Sequence, residues 1–240
     1  MKLSPEEFTV LIKTLGFLAT VCSDIEIKDS EICNKTNDKV VTYNLKLPFN
    51  DKINLSFASI ANAVKVLKPF TDQTVEISET DTHNILHMVE DDVYFSFTKP
   101  ITLVNPFNKD KIEALVNQLS FETIPIDINT LNRIRTLVHK FNSDLIVDLE
   151  SGELRISNSS KDTAFSKKID NTNLSYKPKF RVLQHAFPTV QFVSTSGSFS
   201  YAKFMQNGQE YVIYMIETFI EINNSQIPFR VIGAAELVTE

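Results

Sequence analysis

The order of elements along this 240-residue chain starts over at its midpoint, and that repeat limits the fold more than any other feature. A shift of 120 residues lays a helix-like stretch near the N-terminus on residues 129–142. Leu11 then matches Leu131, Lys13 matches Arg133, Phe17 matches Leu137 and Leu18 matches Val138. Ser23-Asp24 matches Ser143-Asp144, and Ile25 and Ile27 match Leu145 and Val147. Core positions fall on core positions, and one basic position falls on another. The identities are few, so the shared order of elements carries the argument. Such a chain is α+β: two pseudo-repeated domains, each with two helices packed on one face of antiparallel sheets. The expected division is 1–104, a connector over 105–120, and 121–240, with a tail from about 219. Its strand-like stretch, 227–238, has no counterpart in the first half.

Local signals place the helices. Ser4-Pro5-Glu6-Glu7 supplies a cap, a proline suited to the first turn and two acids for the helix dipole. Phe8, Leu11, Ile12, Leu15, Leu18, Ala19 and Cys22 follow at helical spacing, with Phe17 on the wrong face. A second helix has Ile60, Val64 and Leu67 inward and stops at Pro69. In the third, Ile128, Leu131, Ile134, Leu137, Val138 and Phe141 share one face. A fourth is expected over 177–187, with Pro178 in its first turn and Phe180, Leu183 and Phe187 inward. The connector has a breaker at Asn105-Pro106-Phe107-Asn108 and a weak helical period after it.

Composition excludes several classes. Hydrophobic residues make up 42%, enough for real cores. Cys22 and Cys33 lie in no metal or redox spacing, which reads as a reduced, intracellular protein. No apolar run reaches the ~18 residues of a membrane span, and the N-terminus lacks the apolar core of a signal peptide. A soluble, cytoplasmic protein is expected. His83-Asn84-Ile85-Leu86-His87 has the spacing of a zinc-protease pair, but Asn stands where the general base would be and the stretch reads as a strand. Glu90-Asp91-Asp92 reads as a solvated hairpin turn, and 194–198 as a loop. With no nucleophile–His pairing and five glycines in all, neither catalysis nor a metal or cofactor is expected.

The charge is segregated. The net charge of −6 would repel nucleic acid in bulk. The helical windows 5–22, 58–68, 129–142 and 177–187 nevertheless hold nine basic residues against Glu6 and Glu7. They carry +7, and the remainder −13. The basic set is Lys13, Lys65, Lys68, Arg133, Arg135, Lys140, Lys177, Lys179 and Arg181, with His139 and His185 as neutral neighbours. Lys65, Arg133, Arg135, Lys140 and Arg181 are its strongest members. For the 129–142 helix taken alone, an ordinary solvated face is an even alternative. Basic helices of this kind can hold phosphates without reading bases, and no zinc-finger spacing or basic zipper is present to read them. The expected binding is weak, sequence-blind and salt-sensitive.

Paired α+β domains with basic helices and an acidic remainder resemble the DNA sliding clamps. The likeness is strongest to the two-domain clamps of tailed phages, with proliferating cell nuclear antigen more distant. It is carried by Met1-Lys2-Leu3-Ser4, by Lys99-Pro100-Ile101-Thr102-Leu103-Val104-Asn105-Pro106, and by the third helix running into 144–157. It covers roughly residues 1–218; the connector is longer and more helix-like than the pattern, and the tail is additional. The resemblance implies a homotrimeric ring of six domains around duplex DNA, with helices lining the hole. It further implies a tethered replicative DNA polymerase made processive by the ring, and an ATP-dependent clamp loader, since this chain has no phosphate-binding loop of its own. If phage-encoded, the protein would work in the host cell cytoplasm. Partner peptides would dock beside the connector, at Val104, Pro106 and Phe107, with Ile112, Leu115, Val116 and Leu119 as a covering helix. Ordinary packing of those four onto their own domain is the alternative. Two other functions remain open: a DNA-bound polymerase accessory factor that forms no ring, and a ring-forming scaffold with no DNA role.

Overall fold

The computed structural model describes residues 1–36, 41–103, 106–157, 163–188, 192–222 and 224–238. The chain divides into two compact units, 1–110 with 221–229 and 111–220 with 230–240. We take each by itself.

The first unit opens with β1 (Lys2–Leu3) and α1 (Pro5–Leu18). Ser4 caps α1: its hydroxyl accepts from the Glu7 N–H, and the Glu7 carboxylate accepts from the Ser4 N–H. β2 (Ile25–Lys28), β3 (Glu31–Lys35), β4 (Val41–Lys46) and β5 (Leu55–Phe57) form one antiparallel row, ordered β5-β2-β3-β4. After α2 (Ile60–Leu67), β6 (Val75–Glu79), β7 (His83–Met88) and β8 (Val93–Thr98) join β1 in a second antiparallel sheet, ordered β1-β6-β7-β8. The strand β3 was not evident in the sequence, because three consecutive residues, Ile32, Cys33 and Asn34, are buried and no alternation shows.

α3 (Lys109–Gln118) begins in the connector. The second unit then repeats the first. It has β9 (Glu122–Ile124), α4 (Ile128–Lys140), β10 (Asp144–Asp148), β11 (Glu153–Ser157), β12 (Thr163–Lys168) and β13 (Lys179–Val182). The long strands β14 (Val193–Gln206), β15 (Gln209–Ile222) and β16 (Ser225–Leu237) follow, with 221–229, the turn end of the last hairpin, counted in the first unit. The row β13-β10-β11-β12 reproduces β5-β2-β3-β4, and β9 pairs with β14 as β1 pairs with β6. β16 pairs with β15 as β8 pairs with β7. The stretch 227–238 therefore has a counterpart after all: all but its last residue lies in β16, and its place is that of β8. Strand length hid this, since β16 has 13 residues and β8 only 6.

The α+β class and the antiparallel sheets agree with the sequence reading, but the helix expected over 177–187 does not form. Residues 179–182 are β13, followed by a single 3-10 turn at Gln184–Ala186. The reason is period: Phe180 and Val182 are buried while Lys179 and Arg181 are not, an alternation of two that a strand satisfies and a helix does not.

In each unit the first long helix lies on its own strands. Phe8, Leu11, Leu15 and Leu18 of α1 are fully buried, as Leu131, Ile134 and Val138 of α4 nearly are. Gly197 lets α4 approach β14, for a Cβ there would stand 2.6 Å from the Ile128 Cδ1. Phe17, on the wrong face of α1 by periodicity, belongs to a second apolar surface: its ring lies 6.0 Å from Tyr43 and 6.2 Å from Phe229. Phe229→Ala removes the ring stacked on Tyr43 at 5.6 Å. We expect it to cost about 3 kcal/mol, read as a lower urea midpoint for the wild-type-like fold.

Candidate nucleic-acid interface

On α4 the exposed positions are Asn129, Arg133, Thr136 and Lys140, one stripe down the helix with no acid in it. The cap fixes where that stripe starts. Asp127 accepts from the Thr130 N–H at 2.8 Å and from its hydroxyl at 2.7 Å. These bonds, the hydroxyl first, hold the Asp127 carboxyl down to about 2, aided by Lys167 at 3.6 Å. Lys140 sits 5.7 Å from the Phe141 ring centroid, a cation resting on an exposed aromatic. Arg135 is half-buried, and burial draws its guanidinium below the usual value. His139 faces the Pro188 carbonyl through Nε2 at 3.1 Å and the Gln184 side-chain nitrogen through Nδ1 at 3.0 Å. A carbonyl only accepts, so Nε2 carries the hydrogen of the Pro188 contact. The ring pins a loop and offers nothing to a phosphate.

In the first unit, Lys13 is exposed at the middle of α1, and Lys65 and Lys68 are exposed on α2 and just beyond it. α1 is otherwise so buried that only Glu6 and Lys13 of its residues reach the exposed class.

The remaining three expected positions stand elsewhere. Lys177 is exposed in a loop before β13. Lys179 and Arg181 are on β13, where Lys179 lies 3.7 Å from Asp148 and Arg181 lies 2.6 Å from Glu236 and 4.0 Å from Asp144. Paired cations in a sheet are not part of a basic helix face, which corrects their grouping with it. His185 lies in the 3-10 turn. Counted over α1, α2 and α4, the helices hold five basic and two acidic residues, a smaller surplus than the sequence windows suggested.

Around the connector, Val104 lies outside the described residues. Pro106 is exposed, and the Phe107 N–H donates to Glu26 at 2.9 Å with Lys28 5.6 Å from its ring centroid. Asn108 and Lys109 continue the latch, through the Cys33 carbonyl at 3.0 Å and Glu31 at 2.5 Å. Ile112 is buried on α3, whereas Leu115, Val116 and Leu119 are half-buried. The sequence reading missed this polar latch, because Glu26 and Glu31 are far from it in the chain. Among the described residues no group of three or more His, Cys, Asp or Glu could hold a metal ion, and no helix is long and apolar enough to cross a membrane.

A doubled α+β unit with this strand order defines a class of fold, and solved structures share it. No family model matches the chain, and no curated protein does. The Helicobacter pylori beta clamp bound to a DNA ligase peptide is similar over 100% of this chain and 66% of its own, at TM-score 0.54 and 11% identity. The Pseudomonas aeruginosa DNA polymerase sliding clamp covers 100% of this chain and 66% of its own, at TM-score 0.52 and 10% identity. DNA polymerase III subunit beta from Borrelia burgdorferi gives 0.57 and 11%, with 100% of this chain and 62% of its own. The chain thus spans slightly less than two thirds of these neighbours, and what it shares with them is the fold. It has the sliding-clamp fold.

Two outcomes follow from this placement. Asp127→Ala should cost about 1 kcal/mol in chemical denaturation, as for other N-caps. Because the folded-state value is depressed, the cap contributes fully above the ordinary carboxylate range and is lost as pH falls toward about 2. Arg181→Gln, by contrast, should change DNA affinity by less than about twofold, its charge being already spent on Glu236.

Proposed function

We propose that this chain is the subunit of a sliding clamp, a non-enzymatic ring that encircles duplex DNA and tethers a replicative polymerase. The observation that carries the reading is the acid-free stripe Asn129-Arg133-Thr136-Lys140, set by helix packing in a doubled clamp fold whose net charge is −6. The first unit has exposed cations of its own at Lys13, Lys65 and Lys68. Such contacts are weak and sequence-blind. A closed ring needs no more, since it leaves DNA only by opening, and weak contacts leave sliding fast.

Two units per chain make a six-unit ring from three copies. β8 and β12 each pair on one side only among the described residues, which supports head-to-tail closure through sheet edges. Polymerase and other peptide partners would dock near Pro106 and Phe107 and along the half-buried Leu115, Val116 and Leu119. Opening would fall to an ATP-dependent loader, and the site of action would be the cytoplasm, that of the host if the protein is phage-encoded.

Light scattering across a concentration series tests the ring directly. A mass near three times 27.3 kDa is expected; a monomer at all concentrations would leave only an open DNA-binding face. On the DNA side, Arg133→Gln with Lys140→Gln should weaken binding equally on unrelated sequences. It should also lower the salt slope by about one per lost phosphate contact. An unchanged slope would remove the stripe from the interface.

A further inference from the structure

The two units differ at the corner between their sheets. In the second unit the last strand closes that corner. Glu236 and Leu237 of β16 pair with Arg181 and Phe180 of β13, and the Val238 N–H donates to the Lys179 carbonyl at 2.9 Å. β5 is the counterpart of β13, since Ile27 pairs with Leu55 as Val147 pairs with Phe180. Among the described residues, however, β5 pairs with β2 alone. β8, the counterpart of β16, stops at Thr98. The Lys99 N–H goes to the Thr82 carbonyl at 2.7 Å and its ammonium to Glu79 at 2.6 Å. The next residue, Pro100, has no N–H to give.

An open cleft of about 420 Å³ lies along the β5 edge, lined by Asn54, Leu55 and Ser56 together with Asn84 of β7 and residues of β2. Asn84 is 1% exposed. Its Nδ2 donates to the Ser56 carbonyl at 2.6 Å, which fixes the orientation of the amide. Its Oδ1 is buried and has no hydrogen-bond partner among the described residues. A buried acceptor without a donor is costly, and a group that brings an N–H removes the cost. The N–H and carbonyl of one strand residue point to the same side, so Ser56 turns its N–H to the cleft as well. Of the charged residues in the lining, Glu26, Asp29 and Glu79 outnumber Lys28 and Lys99. Both lysines are already paired, Lys28 with Glu26 at 3.1 Å and Lys99 with Glu79. Asp29 meets the exposed Lys52 at 3.5 Å.

We propose that this corner of the first unit is a docking edge for an extended, basic peptide segment of a partner protein, which adds to β5 as a strand. The occupant's shape is given by the second unit, where the extended end of β16 fills the same place on β13. Main-chain pairing with β5 supplies the binding, as in other cases of strand addition, and the Asn84 Oδ1 takes an N–H of the incoming segment. Charge selects among segments: an acidic one meets like charge at Glu26, Asp29 and Glu79, whereas lysine or arginine brings donors alone. The site lies within one unit and uses the β5 edge rather than the connector. It therefore stands whether or not the chain forms a ring.

The test is fluorescence anisotropy of a labelled peptide, Lys-Val-Lys-Val-Lys, titrated with the full chain at physiological salt. Two further peptides serve as probes, Glu-Val-Glu-Val-Glu and the lysine peptide N-methylated throughout. The lysine peptide should bind, and the other two at least about tenfold more weakly. Ser56→Pro removes the N–H on the open edge, where proline is tolerated, and Asn84→Leu removes the buried acceptor; each should weaken binding about tenfold or more. Should either variant misfold by circular dichroism, the methylated peptide asks the same question from the ligand's side. Binding unmoved by the variants and by methylation would mean that surface charge alone holds the peptide, and would overturn the site, as would no binding at all. Sedimentation of the chain without peptide is the arm for a second copy. Self-association abolished by Ser56→Pro, with no peptide bound, would put the chain itself on this edge and overturn the partner strand.

Discussion

The burial of one helix face on the sheets of each unit is the interaction on which everything else here depends. Leu11, Leu15 and Leu18 in α1, and Leu131, Ile134 and Val138 in α4, go almost wholly out of water. At about 1.5–3 kcal/mol for each such side chain, this burial outweighs any single polar contact in the molecule. It also fixes the helix about its own axis. Once Leu131, Ile134 and Val138 face inward, Arg133, Thr136 and Lys140 have no choice but to face out. The placement of charge is thus a consequence of packing, and the phosphate contacts proposed above need no other positioning device.

The same logic separates cations that can meet a ligand from cations already committed. Lys179 and Arg181 have the composition of a DNA-facing helix, yet a strand with carboxylates on both sides uses them as cross-strand partners. His139 is tied to Pro188 and Gln184. What is left is a modest surplus of positive charge on α1, α2 and α4. On the function proposed above, that surplus suits retention by topology better than retention by affinity.

Much of the fold was legible because repeats and helical periods are written in apolar spacing. α1, α2 and α4 were readable from their caps and inward faces, and the correspondence of Leu11 with Leu131 proved to be one of buried positions. The failures have physical causes. In 177–187, Pro178 and a few aromatics mimicked a helix start, while the decisive alternation of Phe180 and Val182 was only four residues long. β16 looked additional because matching it to β8 requires the pairing pattern, which no local window contains. Of the candidate site, charge type was legible but charge partners were not: the carboxylates that neutralise Arg181 lie 37 residues before it and 55 after it in the chain.

The central claim is topological retention. The direct measurement is the fraction of protein retained on nicked circular duplex DNA in gel filtration at elevated salt, before and after the circle is cut once. The account predicts retention on the circle and its loss on linearisation, with the DNA sequence irrelevant. Equal retention on both forms, falling smoothly with salt, would mean that charge alone holds the protein on DNA.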